Sequence, residues 1–249
     1  MPRYFIELSF KGTRYHGWQI QPNANTVQAE LEKGLATLTG QPVETTGAGR
    51  TDAGVHGHNY VAHFDCDLKL PEADLTYKLN AILPPDIAIH SIFKVNPDAH
   101  ARFTAISRSY KYRLTRLKDP FYPDISLFYP FSLNVCLMNE VAATLKNYTD
   151  FTSFSKLHSD VKTNNCKIVE AEWGEEENYL VFNIKADRFL RNMVRSIVGT
   201  LLDIGRGKLD SCQLEKIING RNRSLAGPSV PAHGLMLWAI EYPPGIRAV

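Results

Sequence analysis

The run Gly49-Arg50-Thr51-Asp52-Ala53-Gly54-Val55-His56 sets one carboxylate, Asp52, between an arginine two residues before it and a glycine two residues after it. An ionised carboxylate can serve as a nucleophile or a general base. An Asp in a glycine-rich stretch can equally be a turn former, because its side chain bonds its own backbone and tolerates left-handed angles. Gly47 and Gly49 precede it and a strand-like segment, 59–64, follows, so Asp52 is expected in a loop entering a strand. Loops held by a rigid scaffold are where chemistry is displayed. His56, His58 and His63 lie close by in sequence, and His plus Asp ligands suit zinc or iron. No Asp or Glu at helical spacing completes a ligand set, so no metal site is expected; a metal-dependent hydrolase built on Asp52, His56 and His58 is the rival reading.

Other chemistries lack their parts. The chain has neither a Gly-rich Walker loop nor a Gly-x-Gly-x-x-Gly opening a helix, and it has no Gly-x-Ser-x-Gly elbow. The His-x-Glu and Pro-Cys-x-x-Cys pattern of zinc deaminases is missing as well. Cys66, Cys136, Cys166 and Cys212 are scattered, which argues for reduced thiols in a cytoplasmic protein. No apolar stretch approaches the roughly 20 residues of a membrane span, and the first residues run into a strand pattern instead of a signal core. A net charge of +2 hardly marks a nucleic-acid binder. Its distribution is uneven, however: Arg102, Arg108, Lys111, Arg113, Arg116 and Lys118 follow one another with no acidic residue between them. Such a stripe is compatible with a phosphate-lined ligand and equally with solvated surface.

The elements that must position these groups read as follows. Residues 4–10 alternate with a period of two, and Asn25 or Thr26 caps a helix carrying Val27, Leu31, Leu35 and Leu38, stopped by Gly40. Strands are expected at 60–64, 87–95 and 110–114, the last with one positive face, and a helix at 75–82. Later come a helix at 138–145, a strand pair at 168–173 and 179–185, helices at 189–204 and 212–218, and a final strand at 236–241. On the 189–204 helix, Leu190, Met193, Ile197, Leu201 and Ile204 form one apolar stripe, with Arg188, Arg191 and Arg195 together on another face. That arginine row reads either as a solvated face or as guanidiniums for phosphates or a buried carboxylate. Grouped strands without regular βαβ alternation indicate an α+β fold with antiparallel or mixed sheets and helices on one face. A chain of 249 residues is comfortable for two domains. We divide it at 1–105, carrying the Asp loop, and 106–249.

The Gly49–His56 run closely resembles the signature of the tRNA pseudouridine synthase A (TruA) family, and the resemblance extends along nearly the whole chain. Tyr15-His16-Gly17-Trp18-Gln19 with Thr26-Val27-Gln28, then Arg108-Ser109-Tyr110-Lys111-Tyr112, resemble the family's opening and its tyrosine strand. Asp150-Phe151-Thr152-Ser153-Phe154, Phe189-Leu190-Arg191-Asn192-Met193-Val194-Arg195 and Ala226-Gly227-Pro228 through Gly234-Leu235 follow in the family's order. Gly57 stands where alanine is usual, and Lys11 replaces an acidic residue. The resemblance implies two related halves with the active site in a cleft between them, and a homodimer acting on tRNA. It implies an isomerase that converts uridine to pseudouridine in the anticodon arm, at positions 38, 39 and 40, with no metal or other cofactor. Asp52 would be the catalytic nucleophile or base, and Arg195 would pair with it and hold it ionised. Tyr110 would stack on the target base and take the C5 proton. Arg50 would fill the space that the flipped base leaves, and Leu235 would wall the uracil pocket. A noncatalytic RNA-binding module is the remaining alternative.

Overall fold

A computed structural model describes residues 1–121, 123–156 and 163–248. The chain folds into two compact units, Met1–Ile106 with Met236–Val249, and Ser107–Leu235. Both combine largely antiparallel strands with helices, an α+β architecture.

In the first unit the central strand β1 (Arg3–Phe10) pairs antiparallel with β3 (His56–Asp65) on one side and β4 (Ile87–Val95) on the other. The short β2 (Thr45–Gly47) adds to β3. Helix α1 spans Val27–Thr39, and its start is fixed by local chemistry. The Thr26 hydroxyl accepts the Ala29 N–H, while the Val27 and Gln28 amides, orphaned in any first turn, reach the carbonyls of Gly17 and Trp18. Gly40, at φ 74°, ends the helix in the left-handed conformation that glycine adopts without strain. Helix α2 (Glu72–Ile82) packs on β4 and against α1.

The period-two pattern of β1 suggests one buried face, yet Phe5 is as fully buried as Ile6. Phe5, Val61 and Val95 form a second apolar layer with Phe93, Ile240, Tyr242 and Ile246, in which no helix takes part. The final strand β9 (Leu235–Glu241) runs parallel to β3 through His56–Met236 and Gly57–Leu237. The tail then folds over Phe5, with the Tyr242 ring edge-on at 5.1 Å and its hydroxyl donating to the Ala101 carbonyl. Burying a phenylalanine is worth roughly 1.5–3 kcal/mol. A division at 105/106 assigns this last stretch to the second half; the chain places it with the first, because its apolar residues cover β1.

The second unit is built on β5 (Ser107–Thr115), β8 (Tyr179–Ala186) and β7 (Ile168–Glu176), paired antiparallel in that order, with the two-residue β6 (Leu127–Phe128) parallel to β5. Helix α3 (Val135–Thr144) lies on β7 and against α4 (Met193–Gly205), with α5 (Gln213–Asn219) beyond. The α4 helix begins at Met193, later than the sequence periodicity suggests. Asn192 is left-handed at φ 67°, and the Arg191 carbonyl accepts from the Lys156 amide instead of a helical partner. Arg188 and Arg191 therefore precede the helix and form no row with Arg195. Nor does α4 carry a single apolar stripe, since Val194, Ser196, Val198 and Thr200 are buried along with Ile197 and Leu201. The Asp150–Phe154 motif is structural: Asp150 accepts from Thr152, Phe151 and Phe154 are fully buried, and the Ser153 hydroxyl donates to the Ile217 carbonyl.

His63 on β3 is buried, and its Nδ1 accepts the Ala101 N–H at 3.2 Å. Burial, then the nearby charges of Arg3 and His100, lower its pKa from 6.5 to about 4. The folded protein thus disfavours the imidazolium, so this contribution to stability is intact above pH 6.5 and is lost as pH falls towards 4. Urea unfolding midpoints of the wild type should fall over that window. They should fall less steeply in His63→Asn, which keeps an acceptor and cannot titrate; parallel curves would refute the assignment.

Candidate active site

The Asp52 loop leaves the sheet after β2 and re-enters it at β3. Ala48 N–H donates to the Val61 carbonyl at 2.8 Å, the last backbone rung on that side. One residue on, the buried Tyr60 hydroxyl takes over, accepting the Gly49 N–H at 3.3 Å and donating to the Gly49 carbonyl. Gly47 makes room for this arrangement: a Cβ there would lie 2.1 Å from the Tyr60 hydroxyl and 2.4 Å from Trp18 Nε1. At the far end, the Val55 amide donates to the Asp52 carbonyl, closing a turn with Gly54 at φ 80°.

A second loop, Gly12 to Trp18, lies against this one backbone to backbone. Gly17, at φ 90°, is so close that a Cβ would sit 2.2 Å from the Thr51 carbonyl oxygen, and one on Gly12 would sit 2.0 Å from that of Val55. Hydrogen bonds join them too: Trp18 N–H to Thr51 Oγ1 at 3.0 Å, Gly54 N–H to the Tyr15 carbonyl at 3.2 Å, and Gly12 N–H to His56 Nδ1 at 2.9 Å. Asp86 anchors the outer side, accepting from the Tyr15 hydroxyl and from Arg14. Gln28 of α1 receives the Ile20 N–H and donates to the Thr45 carbonyl, tying helix, loop and β2 together. Asp52 is half-buried within this frame, and Arg50 is exposed.

The histidines considered as metal ligands are otherwise engaged. His56 is buried with Nδ1 on the Gly12 amide, His58 stacks on Trp238 with ring centroids 3.9 Å apart, and His63 holds Ala101. Among the described residues no group of three or more His, Cys, Asp or Glu could hold a metal ion. Gly57, where the family resemblance leads one to expect alanine, faces Phe10, whose ring would stand 2.6 Å from an added Cβ. All four cysteines are free thiols.

In the second unit, Arg195 sits half-buried in the first turns of α4. Its Nε donates to the Val230 carbonyl at 2.7 Å, and the Val230 amide donates back to the Arg195 carbonyl at 3.2 Å. The segment carrying Val230 can lie on α4 because Gly199 has no side chain; a Cβ there would be 1.8 Å from the Pro228 oxygen. Gly227 N–H bonds the Thr200 hydroxyl, and Asn192 bonds Ser229. Arg195 is thus a pinned side chain and no solvated surface arginine. Tyr110 is half-buried on β5, edge-on to Phe189 at 5.0 Å, while Tyr112 on the same strand is core, its hydroxyl on the Pro231 carbonyl. Leu235 is buried at the start of β9.

The basic stripe divides. Lys111 pairs with Glu176 at 2.5 Å, Arg113 lies over the Tyr179 ring at 5.6 Å, and Arg108 donates to the Asp187 carbonyl. Arg102, Arg116 and Lys118 are exposed. Nothing in the spacing signals the roles of Tyr60 or the Val230 carbonyl, and the motif containing Gly17 does not show what that glycine touches; Tyr60 looks like any aromatic on an alternating strand.

Residues 8–104 and 145–243 match the sequence family described as tRNA pseudouridine synthase. A Porphyromonas gingivalis protein named tRNA pseudouridine synthase A is 54% identical over 247 residues, 98% of each chain. One of the same name from Bacteroides fragilis is 54% identical over 243 residues, 97% of this chain and 96% of its own. A Parabacteroides distasonis protein so named is 53% identical over 246 residues, covering 98% and 97% respectively. Asp52, Arg50, Arg195 and Leu235 fall within the family-matched segments, and Tyr110 lies between them.

Two glycines near Asp52 should respond unequally to alanine. Gly17→Ala meets a carbonyl and a positive φ together, so unfolding free energy should drop by about 1–3 kcal/mol. Gly49→Ala meets nothing within 4 Å and should leave stability nearly unchanged. Urea denaturation of both variants checks this; equal losses would refute the backbone-contact account.

Proposed function

The chain belongs to the tRNA pseudouridine synthase family, and on that premise we propose that Asp52 is the nucleophile with which it isomerises uridine in the anticodon arm of tRNA, at positions 38, 39 and 40. The enzyme is an isomerase of tRNA uridine. Its reaction breaks the N1–C1′ bond, turns the base, joins C1′ to C5, and moves the C5 proton off carbon. Nothing is oxidised and no group is lost, so acid–base and nucleophilic side chains suffice. The observation that carries this reading is the likeness to the named relatives over almost the whole chain, with the Asp52 run intact.

In this reading Asp52 attacks the flipped target nucleotide, and Arg195 pairs with Asp52 and keeps it ionised. The grip of the Val230 carbonyl on Arg195 Nε supports such a role, because an oriented guanidinium loses little freedom on engaging a carboxylate. Tyr110 stacks on the uracil and receives the C5 proton, and Leu235 lines the pocket. Arg50, exposed beside Asp52, enters the space the base vacates; unstacking that base costs a few kcal/mol. The exposed Arg102, Arg116 and Lys118 track phosphates. The active form is a homodimer, with one tRNA touching both subunits, and it works in the cytoplasm without a cofactor. Among the described residues no helix is long and apolar enough to cross a membrane.

Tritium release from tRNA labelled at uridine C5 tests the nucleophile. The wild type should release tritium and Asp52→Asn, nearly isosteric and uncharged, should release none. Release by both would remove Asp52 from the chemistry, and release by neither would favour an RNA-binding module. For Arg195→Leu, the single-turnover rate should fall at least about tenfold while the Kd for tRNA changes much less. Parallel losses would make Arg195 a phosphate contact.

A further inference from the structure

Between its two fixed points the Asp52 loop is very short. On one side β2 and β3 hold the chain through Gly47–Ala62 and then through the Ala48 N–H to Val61 carbonyl bond. On the other, the Asp52 carbonyl accepts the Val55 amide and the Gly54 amide is held by Tyr15. As the chain peels away from β3, the next rung of the ladder is supplied by a side chain: the Tyr60 hydroxyl bonds both the N–H and the carbonyl of Gly49. Only Arg50 and Thr51 separate that clamp from Asp52. The clamp is itself rigid, because Tyr60 is fully buried, with the Trp18 ring at 4.3 Å and the Phe10 ring edge-on at 5.4 Å. Trp18 in turn bonds Thr51 through its backbone amide, so one aromatic cluster grips the loop on both sides of Arg50.

We propose that Tyr60 is a positioning residue of the isomerisation. It fixes the direction in which the loop leaves the sheet, and hence where the Asp52 carboxylate meets the nucleotide. The inference rests on Asp52 as the nucleophile. Tyr60 touches no substrate; its hydroxyl acts through Gly49. Reacting atoms must approach within about 3–3.5 Å in alignment, and a misplacement of about 1 Å can cost 100-fold in rate. A phenol that fixes the loop three residues before a nucleophile therefore acts on the chemical step, leaving tRNA affinity to other surfaces.

Tyr60→Phe removes both bonds and keeps the packed ring. Its kcat for tRNA should fall by about 10- to 100-fold, with the Kd for tRNA within about twofold, and amide exchange at residues 49–52 should quicken. Tyr242→Phe is the control: it removes a part-buried tyrosine hydrogen bond, to Ala101, in the same unit, and should cost comparable stability with kcat unchanged. Asp52→Asn is measured alongside. If Tyr60→Phe keeps the wild-type kcat while Asp52→Asn is inactive, or if Tyr60→Phe loses kcat and affinity equally, the positioning role is wrong and the nucleophile stands. If Asp52→Asn turns over, the nucleophile reading fails and takes this inference with it.

Discussion

The carbonyl oxygen of Thr51 lies so near the Cα of Gly17 that no side chain fits between them, and the setting of Asp52 follows from that contact. Backbone packed on backbone is a stiff constraint. It has no rotamers to relax, and any Cβ in the gap would displace the loop. The same approach recurs at Gly12 against Val55, so the Asp52 loop is backed along its length by one surface. That surface is fixed by the start of α1, whose first amides take the carbonyls of Gly17 and Trp18. A helix cap, a glycine loop and the Asp52 turn thus form one hydrogen-bonded unit. This explains why the Tyr15–Gln19 and Thr26–Gln28 motifs accompany the Asp52 run although neither contains an obvious catalytic group.

Arg195 is placed by the same device in the second unit. Gly199 lets the Pro228 carbonyl rest on α4, and Val230 then exchanges hydrogen bonds with Arg195 in both directions. In both units a missing side chain lets two segments touch, which holds the backbone at Asp52 in one and the guanidinium of Arg195 in the other. Preorganised charge costs no rearrangement at the moment of reaction. The chemistry proposed for this chain has no cofactor to supply reactivity, so the geometry of a few side chains must provide it.

Charge on the molecule has been apportioned with similar economy. The stripe from Arg102 to Lys118 looks uniform in sequence, but Lys111 and Arg113 face Glu176 and Tyr179 across the sheet or beside it. Those contacts lie within the second unit, whereas Arg102, Arg116 and Lys118 are exposed. The histidines of β3 are similarly divided among structural tasks. His56 holds a backbone amide of the neighbouring loop and His63 one of the 100–104 turn.

The α+β class, most element positions and the Asp52 loop are legible along the chain, because they are written in local patterns: a period of two, a period near four, caps and turn glycines. The sequence carried the family as well, through motifs in a fixed order. Where α4 begins was hidden, since the apolar pattern runs on through Phe189 and Leu190 while the Arg191 carbonyl is taken by a distant amide and Asn192 stands outside helical angles. The home of the last strand was hidden for the same reason: its partners are β3 and Phe5, more than two hundred residues earlier in the case of Phe5, and only their burial assigns it. Tyr60 and Val230 were silent because a hydroxyl or a carbonyl gains its meaning from what lies opposite. Local spacing fixes which residues can form an element; which polar atoms they meet is decided by tertiary contact, and that is where the Asp52 backbone and the Arg195 side chain are held.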